Sequence, residues 1–219
     1  DDLFFDHVTG TTISAGSSIR GGGTLNVITR PVEPLMISGN VTLADGNTGT
    51  SLAGSVSLDG LTFSGFDGLS FGPLTLSGAA AVIDSNGSNV DFTGAINAGN
   101  AATEDISLEV QAGAGAVTFA GAVGDTQALA DLDVTAATIN LNHATVNVND
   151  DNAALATSVF TGNVVLGTDV TITTDKVTGA DNNLTFASAV NADVAASNRK
   201  LVVAAGTGAT TFTNIGSAQ

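Results

Sequence analysis

The feature of this chain that most constrains its fold is an internal repeat built around phenylalanine. A block of the form apolar-x-Phe-x-x-x-apolar occurs in three close copies and two looser ones, around Phe92, Phe119, Phe160, Phe186 and Phe212. Successive phenylalanines are 27, 41, 26 and 26 residues apart, so most of the intervals share one period. A period of about 20 to 50 residues is typical of stacked units that cannot bury their hydrophobic face alone. The chain is therefore predicted to be a repeat protein.

Each repeat is predicted to contain short strands joined by tight turns. Apolar–polar–apolar triplets recur along the chain, and a period of two residues indicates a strand with one buried face. Clusters such as Asp84–Ser88 and Gly179–Asn183 lie between the triplets and predict turns. No stretch combines helical periodicity with helix caps. The repeat unit is therefore predicted to be one coil of about 26 residues in an all-β parallel solenoid of roughly eight coils.

The repeated phenylalanines are predicted to face the core of this solenoid. We expect all five rings to lie inside, near one wall, and to stack from coil to coil. The interval of 41 residues between Phe119 and Phe160 fits either two short coils of about 20 residues or one coil with an excursion of about 15.

The N-terminal part of the chain matches the repeat least well. Residues 1–40 contain two of the three prolines and predict an irregular cap or a junction, with β-solenoid repeats over 41–219. The register before Phe92 stays open. Phe66 lies 26 residues earlier but in a turn-like sequence, whereas Phe63 lies in a strand-like triplet.

Charge and composition limit the partners of the chain. Its 5 Lys and Arg against 21 Asp and Glu give a formal net charge of -16, whereas nucleic-acid binding relies on cationic side chains that neutralise phosphates. We therefore predict no nucleic-acid partner. No apolar run approaches the roughly 18 residues of a membrane-spanning helix, and the absence of cysteine excludes disulfides and thiolate sites. The chain begins at Asp1 without a signal-peptide pattern, so we expect a mature protein or a fragment of a longer one.

One stretch resembles a known class of repeat. Val117–Gly124 is followed by a Gly/Asp turn, then by Leu129–Ala136 and Thr138–Leu141. This succession resembles the repeats of giant bacterial filamentous-haemagglutinin-like and autotransporter-like surface proteins. The resemblance covers roughly residues 88–219 and concerns repeat style and composition. It implies a right-handed parallel β-helix in an exported adhesin or extracellular fibre component.

The sequence does not predict an enzyme. His7 and His143 are the only histidines, and neither has the spacing of a catalytic or metal-binding motif. Glycan-active β-helix enzymes need basic residues or a pair of carboxylates around the scissile bond. The few Lys and Arg residues, and the absence of Trp and Tyr, argue against that chemistry. We therefore assign no catalytic residue and no cofactor.

Calcium is the inorganic partner that the side chains favour. Asp150, Asp151 and Asp181 offer hard oxygen ligands on predicted turns. Neither the EF-hand spacing nor the calcium-binding nonapeptide repeat is present. The three carboxylates are the candidates for a calcium site. Otherwise Asn and Asp are expected in turns because they tolerate left-handed backbone angles.

These patterns predict a structural or adhesive module of a bacterial extracellular surface protein or fibre. We expect it to be secreted or on the cell surface and to act as a stiff repeat scaffold. The alternatives are a carbohydrate- or protein-binding passenger domain with a specific groove and, behind it, a glycan-active β-helix enzyme. The expected partners are further copies or further repeats stacked end to end, and a host or cell-surface glycan or protein. An interrupted solenoid presents an unpaired strand edge. We therefore expect the coil over 201–215 to be continued by further coils or docked against another copy.

Overall fold

The computed structural model of the protein describes residues 3–6, 12–13, 25–28, 35–37, 41–42, 50–65, 68–99, 106–151 and 153–216. All regular elements in these ranges are β-strands, and no helix that could cross a membrane lies among them. The strands in chain order are β1 (Leu3–Asp6), β2 (Thr12–Ile13), β3 (Leu25–Ile28), β4 (Leu35–Ile37), β5 (Val41–Thr42), β6 (Thr50–Leu52), β7 (Val56–Asp59), β8 (Thr62–Ser64), β9 (Leu69–Phe71), β10 (Leu74–Ser77), β11 (Ala81–Asp84), β12 (Val90–Phe92), β13 (Ile96–Ala98), β14 (Ser107–Gln111), β15 (Ala116–Phe119), β16 (Asp131–Leu141), β17 (Thr145–Asn147), β18 (Thr157–Leu166), β19 (Val170–Thr173), β20 (Asn183–Ala192), β21 (Leu201–Ala204) and β22 (Thr210–Ile215).

The strands stack in parallel, each against its counterparts in the preceding and following coils. One ladder runs through β1, β3, β6, β9, β12 and β15, a second through β5, β8, β11 and β14, and both join at β16. β18, β20 and β22 continue the joined ladder. A further wall stacks β2, β4, β7, β10 and β13, then β17, β19 and β21, and Val123 bridges the two groups by pairing with Ile96 and Val146. The prediction of an all-β parallel solenoid is confirmed.

The coils differ in length. Val56 pairs with Leu74, whereas Val90 pairs with Val117, so the second of these coils is half as long again as the first. In the C-terminal half Phe160 pairs with Phe186 and Phe186 with Phe212 at equal intervals, whereas Val170 pairs with Leu201 across a longer one. The predicted coil length thus describes this half best. The prediction of a cap over 1–40 stays a prediction, because the structure describes only β1 to β4 there, in the same ladders as the later coils.

The repeated phenylalanines form two interior columns. Paired positions of successive coils in the first column are occupied by Leu52, Phe71, Phe92, Phe119, Leu141 and Leu166. The second column contains Phe63, Ile83, Val110, Val134, Phe160, Phe186 and Phe212. Four of the five predicted rings are buried, and Phe212 is half-buried. The prediction of a single stack is wrong, because Phe119 pairs with Leu141 and Phe160 with Val134.

The change of column occurs at β16. In the preceding coil, β14 and β15 are separate strands, and Ala112–Gly115 lie between them. In the next coil one strand of 11 residues covers both positions, with Val134 in the second column and Leu141 in the first. The interval from Phe119 to Phe160 therefore contains nearly two coils and a move to the neighbouring column. Phe66 lies outside the described residues, and the register before Phe92 is set by Phe71.

The glycine two residues after the phenylalanine of the repeat block lies where successive coils approach closely. A Cβ atom on Gly121 would lie 2.2 Å from the carbonyl oxygen of Gly94. At Gly162, whose φ is 145°, a Cβ would lie 2.1 Å from the carbonyl oxygen of Ala136. Both distances are too short for non-bonded atoms, so only glycine fits without a backbone shift.

Asparagine and aspartate side chains join successive coils. At seven of the described positions a side-chain oxygen accepts a hydrogen bond from a backbone N–H of the next coil, and we call these the coil-bridging residues: Asn89, Asn97, Asp133, Asp151, Asp169, Asp181 and Asn183. Among the described residues other than glycine, only Asn86 has a positive φ, of 51°. Tolerance of left-handed angles therefore explains Asn86, whereas the coil-bridging residues satisfy backbone donors that the strand ladders leave over.

Candidate functional site

The three predicted calcium candidates lie at one corner of the C-terminal coils, around the loop over 174–182. The Asp151 carboxylate accepts hydrogen bonds from the backbone N–H groups of Val177 (2.5 Å) and Thr178 (3.2 Å). The Asp181 carboxylate accepts one from the backbone N–H of Lys176 at 2.8 Å. The structure thus brings Asp151 and Asp181 to the same loop, where both carboxylates hold its backbone.

The second carboxylate oxygen of Asp181 is also engaged. It accepts hydrogen bonds from the backbone N–H and the hydroxyl of Thr207, at 2.6 and 2.7 Å. These two bonds, together with the one from Lys176, stabilise the charged form and lower the pKa of Asp181 to about 2. Asp181 therefore stays ionised at neutral and mildly acidic pH, with its oxygens committed to protein donors.

Asp150 occupies a different environment from its neighbour. Its side chain is 3% exposed, whereas that of Asp151 is half-buried. The backbone N–H of Asp150 donates to the carbonyl oxygen of Leu129 at 3.3 Å, and its carbonyl oxygen accepts from Ala153 at 3.2 Å. Within the part of the chain that the structure describes, no three His, Cys, Asp or Glu side chains are grouped as metal ligands. Calcium binding by the three candidates stays a prediction.

Two buried polar side chains that the sequence did not single out organise the same corner. Lys176 is 6% exposed, and its ammonium group donates to the carbonyl oxygens of Ala153 (2.9 Å) and Ala154 (3.2 Å). Its positive charge makes a smaller contribution to the low pKa of Asp181. The lysine therefore fixes the loop over 174–182 against the preceding coil.

Asn182 lies fully inside and connects three coils. Its amide nitrogen donates to the carbonyl oxygens of Ala130 (2.9 Å) and Val148 (2.7 Å). Its amide oxygen accepts from the backbone N–H of Ala156 at 2.9 Å. The strand alternation contains a signal for this position. Leu184 faces inward and Asn183 outward, so extending the alternation back by one residue places Asn182 inside.

The remaining charged groups are spread over the surface. Arg199 forms a bidentate ion pair with Asp193, in which Nε donates to Oδ1 at 3.0 Å and Nη2 donates to Oδ2 at 2.8 Å. This hydrogen bonding lowers the pKa of Asp193 to about 2. Burial, and then the nearby Asp131 carboxylate, raise the pKa of Asp133. The ring nitrogen Nδ1 of His143 accepts from the backbone N–H of Thr145 at 3.2 Å. His7 lies outside the described residues.

A cavity of about 660 Å³ lies against the last described coil. Its walls are apolar and include Leu166 and Phe212 of the two columns, Val190 of β20 and Val203 of β21. Asn191, Ser197, Asn198 and Arg199 lie at the polar part of its lining. The cavity offers hydrophobic contact together with hydrogen-bond donors, and the charge of Arg199 is already paired with Asp193.

Comparison with known proteins finds no relative of this chain. No family model matches the chain, and no curated protein or solved structure is significantly similar to it. The resemblance to filamentous-haemagglutinin-like and autotransporter-like repeats therefore stays a prediction from the sequence.

We expect calcium to change the thermal stability of the protein only slightly. The Asp151 and Asp181 carboxylates already accept protein hydrogen bonds, so a calcium ion would have to displace these bonds before it could bind there. Melting midpoints measured with calcium and with chelator should differ by no more than a few degrees. An Asp151→Asn variant is the matched control, because an amide oxygen can still accept from Val177 and Thr178 while the charge is lost. A large calcium-dependent shift that disappears in this variant would show a structural calcium site.

Proposed function

We propose that the chain is a non-catalytic structural or adhesive module of a bacterial extracellular surface protein or fibre, located outside the cell. In this proposal its coils form a stiff scaffold that extends or displays a binding surface. The composition and the resemblance of its repeats to those of exported adhesins support the cellular location. The architecture supports the mechanical role.

The observation that carries this proposal is the continuity of the interior. One core cluster of buried side chains extends from Leu52 to Val190, and Leu201, Val203 and Phe212 pack against it. Parallel strand ladders connect every coil along this path, and the coil-bridging residues add side-chain bonds between coils. Bending such a body would break contacts and hydrogen bonds between neighbouring coils, and resistance to bending is the property that a stiff spacer needs.

The proposed partners follow from the last described coil. The outer edge of β22 faces away from β20, and the cavity beside it exposes part of the core. We propose that further coils of the same protein, or another copy, stack here end to end. Continued stacking would cover the cavity and pair the strand edge. A host or cell-surface glycan or protein would then be bound on the side of the fibre.

Small-angle X-ray scattering and sedimentation of the 219-residue chain test the scaffold and its stacking together. We expect an elongated particle with the cross-section of one solenoid, whose length increases with protein concentration while the cross-section stays constant. Association that widens the cross-section would mean lateral packing and would contradict end-to-end stacking. A compact or flexible particle at every concentration would contradict the stiff scaffold itself.

A carbohydrate- or protein-binding passenger domain is the second candidate function, and the cavity beside β22 is the observation that favours it. Its apolar walls and polar lining have the mixed character of a ligand site. Screening the chain on immobilised glycans and surface proteins tests this candidate. Saturable binding that is lost in an Asn198→Ala variant but retained in Asn86→Ala would favour a specific groove over a scaffold without one.

A further inference from the structure

We propose that Asn86 is a site of spontaneous covalent modification, at which its side-chain amide is lost and aspartate or isoaspartate forms. Asn86 is the only asparagine of the chain that is followed by glycine. Asparagine is among the chemically least durable residues in proteins. A following glycine removes the side chain that would otherwise hinder attack by the next backbone nitrogen.

The turn that contains Asn86 leaves the reacting groups accessible. Asn86 and Gly87 are both exposed, in the turn between β11 and β12. The φ angles of Asn86 and Gly87 are 51° and 93°, and a Cβ atom added to Gly87 would meet no atom within 4 Å. The backbone N–H of Asn86 donates to the Asp84 carboxylate at 2.8 Å. No described residue forms a hydrogen bond with the side-chain amide of Asn86.

Asn97 and Asn183 differ from Asn86 because their side-chain amides form hydrogen bonds. The Asn97 side-chain oxygen accepts from the backbone N–H groups of Thr126 and Gln127. The Asn183 side chain bonds to both Thr157 and the backbone N–H of Ala209. These bonds hold the amide away from the following backbone nitrogen, and that nitrogen belongs to a residue with a side chain. Asn86 thus combines an unrestrained amide, a glycine neighbour and access to water.

The proposed reaction balances with water as its only co-reactant. The backbone nitrogen of Gly87 attacks the side-chain carbonyl carbon of Asn86, a C–N bond forms, and the amide nitrogen leaves as ammonia with the displaced proton. The resulting five-membered succinimide is then hydrolysed by one water molecule. Opening at one carbonyl gives aspartate, and opening at the other gives isoaspartate, in which the main chain runs through the former side chain.

The product would change the solenoid locally. A new carboxylate at position 86 would repel the Asp84 carboxylate, which accepts a hydrogen bond from the same residue. Isoaspartate would lengthen the backbone of the turn by one carbon atom, directly beneath the turn of the next coil, where Gly113 approaches Gly87. The modification therefore acts at one surface corner and leaves both interior columns in place.

Incubation of the purified folded chain at mildly alkaline pH, followed by peptide mass spectrometry, tests the proposal. We expect Asn86 to lose its amide on the order of tenfold faster than Asn97 and Asn183, because it alone combines a glycine neighbour with an unrestrained side chain. Labelling with an isoaspartyl methyltransferase should identify isoaspartate in the same peptide.

Two variants serve as controls. Gly87→Ala should slow the amide loss on the order of tenfold because its methyl group hinders the attacking nitrogen. Since alanine is strained at a φ of 93°, Asn86→Gln provides a second variant that keeps Gly87 and should abolish isoaspartate labelling of this turn. The proposal is overturned if Asn86 retains its amide while Asn97 or Asn183 loses it. It is equally overturned if amide loss occurs only in the denatured chain.

Discussion

Replacing Phe119 by alanine should lower the free energy of unfolding by about 3 to 5 kcal/mol, the range observed for truncation of a fully buried phenylalanine. The Phe119 ring is 1% exposed and stacks on Phe92, with centroids 5.1 Å apart and planes 11° apart. In the next coil the paired position holds Leu141. A cavity at Phe119 would therefore open at the point where the first column changes from aromatic to aliphatic side chains.

The consequence should extend beyond the loss of stability. In a stack of coils each unit contacts only its neighbours, so a weakened interface can separate the unfolding of the two sides. Urea denaturation followed by fluorescence of a labelled turn and by circular dichroism should show a lower midpoint and a broader transition than in the wild type. Hydrogen exchange should increase first in β12 and β15, which pair at this interface.

Phe212→Ala is the matched control for this prediction. Phe212 stacks on Phe186 at 4.8 Å, in nearly the same geometry, but it is only half-buried. Its truncation should cost less than half as much, because the exposed side of the ring already contacts water. Equal costs for Phe119→Ala and Phe212→Ala would show that ring stacking, and not burial, dominates the contribution of these residues.

The sequence was sufficient to predict the fold because the repeat and the strand alternation both report on burial. The interval between Phe160 and Phe186 is the coil length itself, since the two rings occupy paired positions. The interval between Phe119 and Phe160 is not a coil length, because the two rings lie in different columns, and the prediction of one stack was therefore wrong. A phenylalanine can occupy either of two neighbouring interior positions in a coil, and the sequence pattern around it is the same in both.

The candidate site was less predictable, because the same residue types serve different purposes in turns. Asp151 and Asp181 were predicted as oxygen ligands on turns, and in the structure their oxygens accept backbone N–H groups. Which donors a turn leaves unsatisfied depends on the stacking of adjacent coils, and composition does not reveal it. The burial of Lys176 was even less predictable. A lysine in a polar loop is normally exposed, and no local sequence pattern distinguishes a buried lysine from an exposed one.

The largest single-site effect outside the aromatic columns is expected at Asn182. Its amide satisfies two carbonyl oxygens and one N–H group from other coils, all inside the protein. Alanine at this position would leave those three backbone groups without a partner. Each buried unsatisfied polar group costs about 1 to 3 kcal/mol, so Asn182→Ala should destabilise the protein by about 3 kcal/mol or more.

The adjacent residue supplies the control. Asn183 also forms two side-chain hydrogen bonds between coils, to Thr157 and to Ala209, but at a half-exposed position. Water can replace its amide, so Asn183→Ala should cost only about 1 kcal/mol. Urea denaturation of the two variants under identical conditions measures the difference. Equal free energies of unfolding would mean that water enters the corner around Asn182 and satisfies the exposed backbone groups there.

A third variant separates hydrogen bonding from volume. Asn182→Asp keeps the size of the side chain but replaces the donating amide by a group that, when ionised, only accepts. Its charge would face the carbonyl oxygens of Ala130 and Val148 inside the protein, and both burial and these dipoles would raise the carboxyl pKa in the folded state.

Because the pKa of the new carboxyl in this Asn182→Asp variant would be higher in the folded than in the unfolded state, the variant should be least stable at neutral pH. Its deficit should shrink as the pH falls through the raised value, where the protonated acid can donate to one carbonyl. Denaturation midpoints measured from neutral to acidic pH, relative to the wild type, should therefore converge. A constant deficit across that range would show that the lost geometry, and not the missing donor, accounts for the role of Asn182.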